Sequence, residues 1–227
     1  NKDKRNSDQD INIKDSRAPL ISHLIELRDR LKWAVVFFFI SFCFCYYFAA
    51  DIYKFLVAPL YDIYIEKGIE NPRMIYTALT EAFFTFLKVS FYGALFISFP
   101  IIALQIYKFA APGLYKEEKK AFLPFLIATP VLFGSGAALV YYFIFPLAWR
   151  FFLGFQTSTI ESGMAIELEA KVNEYLSLVL KLMFAFGLAF QIPVALTLLS
   201  RAGIVNSDDL KKRRKYAIVL AFVVAAI

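Results

Sequence analysis

Histidine is nearly absent from this 227-residue chain, with His23 the single example, and the two cysteines, Cys43 and Cys45, lie only two positions apart. No further Cys or His group exists to complete a metal site, so none is expected. Residues two apart on a helix point roughly 200° from each other, so these cysteines are read as packing or lipid-facing groups rather than a disulfide. His23 lies outside the apolar segments, which leaves a Ser-His-Asp triad within them unsupported. No G-x-x-x-x-G-K-[ST] motif occurs, so nucleotide hydrolysis by the chain itself is not expected. Charge is scarce as well: 19% of residues are charged, against about 25% in ordinary soluble domains.

What fills the chain is apolar surface. Hydrophobic residues make up 59% of it, and 26 are Phe. That composition reads as a polytopic, all-α membrane protein embedded in a lipid bilayer. The first apolar run, Trp33 to Ala50, is too long for a cleavable signal peptide, and a polar segment precedes it. A membrane helix needs about 20 mostly apolar residues. Four segments qualify: Trp33 to Ala50, Val89 to Tyr107 with a start several residues earlier, a run within Ala121 to Trp149, and Leu182 to Ser200. A fifth begins at Tyr216 and reaches Ile227 after twelve residues, so the sequence is expected to stop inside a helix.

The net charge of +6 is a statement about topology rather than about nucleic acid, which is not expected as a partner. Lys and Arg number eight, four and six in segments 1–32, 108–120 and 201–215, but only three and two in 51–80 and 150–173. Positive loops stay in the cytoplasm, so the N-terminus is placed there. Residues 1–19 are read as a disordered cytoplasmic tail and 20–227 as the membrane domain. In the first outer loop, Ile52, Phe55, Leu56, Leu60 and Ile63 recur at helical spacing, and Pro59 is expected to break or turn that helix. Pro100, Pro124, Pro130, Pro146 and Pro193 punctuate the spans and predict kinked helices forming a curved wall. Lys88 and Lys181 lie near outer span ends, where long side chains can snorkel to the interface.

Two clusters carry the chemistry. In "SHLIELRDRL", Ser22 to Leu31, a helix sets Leu20, Leu24, Leu27 and Leu31 on one stripe and His23, Glu26 and Arg30 on an adjoining one. Glu26 and Arg30, four apart, can simply pair with each other. The second cluster, "KFAAPGLYKEEKKAFLP", sets Phe109, Pro112, Leu114 and Tyr115 just before a charged run that includes Glu118. Each segment offers a carboxylate beside apolar surface, as a site for a cationic, partly apolar peptide requires.

These blocks, with "APL" at 58–60, "FPLA" at 145–148, "AFGLAFQIPV" at 185–194 and "DLKKRRKYAIVLAFVV" at 209–224, resemble the TatC family, the core subunit of the twin-arginine protein translocase. The resemblance covers residues 20 to 227 in the family's order. It implies a multi-pass protein of the bacterial inner membrane, or of an organelle membrane of bacterial ancestry, with six helices. It also implies a signal-peptide receptor that is not an enzyme and uses no cofactor. Its partners would be TatA/TatB-like single-span subunits, twin-arginine signal peptides on folded cargo, and further copies of the chain, with export driven by the proton-motive force. The family's arginine-contacting acidic positions fall on Glu26 and Glu118, with His23, Arg28, Phe109, Pro112, Leu114 and Tyr115 beside them. Pro59 matches a positioning proline, and Gln191 stands where many members carry a glutamate, two residues before Pro193. Gln191 reads either as a helix-helix hydrogen bond at the Pro193 break or as a partner contact. Read from the residues alone, a secondary transporter or channel for a small solute is the competing function. Against it stand the lack of an internal repeat and of paired ionisable groups in mid-membrane.

Overall fold

The computed structural model describes residues 2–69, 71–110, 119–156 and 168–201, with side chains described for 24–69, 71–106, 124–156, 168–198 and 200. Its elements are α1 (Lys2–Tyr47), α2 (Ala49–Glu66), α3 (Glu81–Ala110), α4 (Lys119–Leu139), a π-helical turn (Val140–Ile144), α5 (Phe145–Leu153), α6 (Val172–Ala189) and α7 (Ile192–Arg201). Four stretches are long and apolar enough to cross a membrane: Leu24–Tyr47, Glu81–Ile106, Pro124–Leu153 and Val172–Leu198. The shortest, at 24 residues, is roughly 36 Å long at 1.5 Å per residue and exceeds a hydrocarbon core of about 30 Å. The expected fifth segment from Tyr216 lies outside the described residues.

The helices overrun the expected limits. Helix α1 runs from Lys2. Once a helix is nucleated, each added residue gains a backbone hydrogen bond, which lets a strongly apolar helix extend into polar sequence. Helix α2 likewise continues through Pro59 instead of breaking there. The fourth span begins at Val172, ten residues before the expected Leu182.

Contacts divide the chain into two compact units. The first comprises Asn1–Val57, Ile75–Pro112 and Lys171–Leu176, with α1 packed on α3. Buried residues on α1 include Ala34, Ser41 and Cys45, and those on α3 include Ser90, Ala94 and Ser98. All are small. In lipid, large apolar side chains gain little by leaving one hydrocarbon surface for another, so close backbone approach through small residues supplies the attraction. Buried hydroxyls on such a face need acceptors: Ser90 Oγ donates to the Phe86 carbonyl at 2.8 Å and Ser98 Oγ to that of Ala94 at 2.6 Å. Cys45 is packed in this interface against Gly93, Cys43 is exposed, and both are free thiols. Phe38 meets Phe91 edge-on at 5.4 Å.

The entrance to α3 is tied down locally. The Glu81 carboxylate accepts from the Thr77 and Ala78 amides at 2.8 and 3.3 Å and from the Asn173 amide at 3.4 Å. A parallel bridge joins Ile75 to Lys171, where the Val172 amide donates to the Ile75 carbonyl at 2.9 Å. These bonds let α3 start at Glu81, well ahead of its uninterrupted apolar run.

The second unit comprises Ala58–Met74, Gly113–Ala170 and Ser177–Ile227. Helices α4 and α6 approach closely at two glycines. A Cβ at Gly136 would lie 2.6 Å from the Phe186 carbonyl oxygen, and one at Gly187 would lie 2.6 Å from the Phe133 ring. Pro146 follows the π-helical turn, whose wider ring carries the Phe145 amide to the Val140 carbonyl, five residues back. That extra residue gives a proline ring room it lacks in a regular α turn. The fourth span does break before Pro193: Gln191 N–H reaches only the Leu188 carbonyl at 2.9 Å, and Pro193 has no amide to offer Ala189.

Two exposed ion pairs link segments of this unit, Arg73 to Glu169 at 3.1 Å and Arg150 to Glu66 at 2.9 Å. Exposed pairs contribute about 0–1 kcal/mol. Glu66→Gln is therefore expected to move the melting temperature in detergent by no more than about 3 °C. A fall of some 8 °C would show that the pair is shielded from solvent.

Candidate functional site

Glu26 sits in the first apolar turns of α1, flanked by the exposed Leu24 and Leu27. Its carboxylate is bound by Arg30 one turn on: Arg30 Nε donates to Glu26 Oε1 at 3.0 Å, and Arg30 Nη2 donates to the same oxygen. The third arm of the guanidinium, Nη1, reaches Gln105 Oε1 on α3 at 3.4 Å. The Glu26 side chain is 42% exposed and that of Arg30 24%. The polar stripe thus packs on another helix through Arg30, while the carboxylate keeps an open side. Glu26 Oε2 lies outside the pair.

Arg28 does not join this group. It donates through Nε to Asp29 at 3.1 Å, and Lys32 approaches the same Asp29 oxygen at 3.5 Å. His23 lies in α1 and Phe109 in the last turn of α3, but their side chains fall outside the described set. Pro112, Leu114, Tyr115 and Glu118 lie outside the described residues altogether. Gln105 went unnoticed in the sequence. Its signal was an amide within the apolar run "FPIIALQIY", near the end of a span.

Three further positions singled out in the sequence lie within the described residues. Gln191 is buried, and its Nε2 donates to the Thr129 carbonyl at 3.0 Å, tying α7's approach to α4, while its Oε1 has no partner among the described residues. The Lys88 ammonium donates to Asn173 Oδ1, in the first turn of α6, at 2.6 Å in a partly buried setting. Pro59 is buried and borders a groove of about 320 Å³ with Asp62, Glu66, Tyr142 and Arg150. A second cavity, about 440 Å³, is lined by Tyr64, Asn71, Arg73, Gln156 and Glu169. Burial pushes the Tyr64 hydroxyl above its ordinary titration range, so it stays neutral there.

Chemically, the Glu26 carboxylate is an acceptor for a cation. The family model for the Sec-independent protein translocase protein (TatC) matches residues 22–227. The chain belongs to the TatC family. Among curated relatives, the TatC of Magnetococcus marinus is 52% identical over 213 residues, covering 94% of this chain and 75% of that one. The TatC of Escherichia coli strain K12 is 40% identical over 209 residues, covering 92% and 77%. A crystal structure of the twin-arginine translocase receptor TatC in DDM superposes with a TM-score of 0.76 at 37% identity, covering 90% of this chain and 87% of that one. As a TatC-family protein with four membrane-crossing helices among its described residues, it is a multi-pass inner-membrane component of a protein translocase.

Proposed function

We propose that this TatC-family chain is a receptor for signal peptides carrying paired arginines, with Glu26 and Glu118 as the two acceptors on the cytoplasmic face. It recruits TatA/TatB-like single-span subunits, works as several copies in the complex, and exports folded proteins at the expense of the proton-motive force. One observation carries the reading: the Glu26 carboxylate, partly shielded and beside apolar surface, already holds a guanidinium through Nε and Nη2. The solved relative described as a twin-arginine translocase receptor supports it.

Arginine stays protonated and offers a planar fork of donors, whereas lysine offers a point charge. Two carboxylates at fixed separation therefore select two arginines at fixed separation. The test is the affinity of a labelled signal peptide for the protein in lipid nanodiscs, with Arg-Arg and Lys-Lys versions compared on wild type and on Glu26→Gln/Glu118→Gln. Wild type is expected to prefer Arg-Arg by about tenfold, roughly 1.4 kcal/mol, and the double variant to lose that preference. Equal binding of both peptides by wild type would overturn the reading.

A further inference from the structure

We propose that Arg30 is a resident competitor for the peptide's arginine, held on Glu26 with the help of Gln105, and that it sets how weakly the site captures its ligand. This rests on the receptor reading above and assigns a regulator of that same site. Arg30 occupies Glu26 Oε1 with two of its nitrogens and spends the third on Gln105 Oε1 at 3.4 Å. An incoming guanidinium that seeks a two-bond grip on Glu26 requires the oxygen that Arg30 covers.

The neighbouring cations do not share this role, because Arg28 and Lys32 both turn to Asp29. Arg30 is also the less exposed partner of its pair, 24% against 42%, so its guanidinium is the group fixed against the protein and the carboxylate is the group left open. Gln105 is the positioning residue: it carries no charge, and its carbonyl oxygen orients the guanidinium from a second helix. A guanidinium that takes both oxygens must displace Arg30, whereas an ammonium can sit on the open Oε2, so the competitor weakens arginine ligands more than lysine ligands.

The same nanodisc assay tests this with four single variants, each checked for an unchanged elution profile and melting temperature. Arg30→Gln is expected to tighten the Arg-Arg peptide by about five- to tenfold and the Lys-Lys peptide by less. Gln105→Leu, which alters no charge, is expected to tighten the Arg-Arg peptide by about two- to threefold, and it carries the test alone if Arg30→Gln fails to fold. Lys32→Gln removes an equal charge nearby and is expected to change affinity by less than about twofold in physiological salt. Glu26→Gln weakens binding and anchors the comparison. Weaker or unchanged binding in Arg30→Gln or Gln105→Leu would overturn the competitor role, as would equal tightening by Lys32→Gln and Arg30→Gln. If Glu26→Gln leaves binding untouched, the receptor reading itself fails, and the competitor role falls with it.

Discussion

Glu26→Lys is expected to bind a paired-arginine signal peptide at least about a hundredfold more weakly than wild type, roughly 2.8 kcal/mol. The loss has two sources. Charge-assisted hydrogen bonds to a shielded carboxylate are worth about 1.5–3 kcal/mol each, and the substitution removes them. It also sets an ammonium where the peptide's guanidinium must dock, so attraction becomes repulsion. The fold itself is expected to tolerate the change. The introduced ammonium would face Arg30 one helical turn away, and like charges at that spacing cost only about 0.3–0.5 kcal/mol. Arg30 would keep its contact with Gln105 on α3. A peptide-binding isotherm beside a thermal melt separates the two effects. A loss below about threefold with an unchanged melt would mean that Glu26 is only a solvated partner of Arg30.

Gly136→Ala is expected to lower the melting temperature by about 10 °C. Its Cβ would stand 2.6 Å from the Phe186 carbonyl oxygen and 3.1 Å from the Gly187 Cα, both backbone atoms that move only if α4 and α6 separate. Overpacking of this kind costs about 1–3 kcal/mol, and each kcal/mol is worth roughly 2–4 °C at this chain length. Two other glycines calibrate the effect. At Gly93 the nearest atom is Cys45 Sγ at 3.1 Å, the end of a side chain that can turn, so Ala there is expected to cost about 1 kcal/mol or less. At Gly134 nothing lies within 4 Å, so Ala should raise the melting temperature slightly through helix propensity. Thermal melts of the three variants in one detergent test the order. If Gly136→Ala melts no lower than Gly134→Ala, the α4–α6 crossing is not as close as described.

The sequence made the number and order of the described spans readable, because long apolar runs announce themselves one residue at a time. Their starts were less readable. Lys88 and Asn173 each lower the local apolar character of a span, and their mutual hydrogen bond helps make both compatible with helices that begin at Glu81 and Val172. A partner 85 positions away leaves no trace in a local window. The break at Gln191 to Pro193 was legible, since a missing amide acts on its own helix. The continuation of α2 through Pro59 was not, because whether a proline breaks a helix depends on the neighbours that surround it. At the candidate site, the pairing of Glu26 with Arg30 followed from their spacing, whereas the third member, Gln105, comes from a different helix.

The bridge between Ile75 and Lys171 bears on how the chain is made. The first compact unit draws its last strip, Lys171–Leu176, from beyond a long stretch that belongs to the other unit. Helix α3 leaves the ribosome and can enter the bilayer while that strip has yet to be synthesised. About 60 residues separate them, so at roughly 5–20 residues per second the entrance of α3 waits about 3–12 s for its clasp. During that interval Lys88 has no Asn173, Glu81 lacks one of its amide donors, and the α1–α3 pair must persist on its own packing. The small, self-satisfied interface of Ser90, Ala94 and Ser98 is therefore also what holds the nascent chain until the rest arrives.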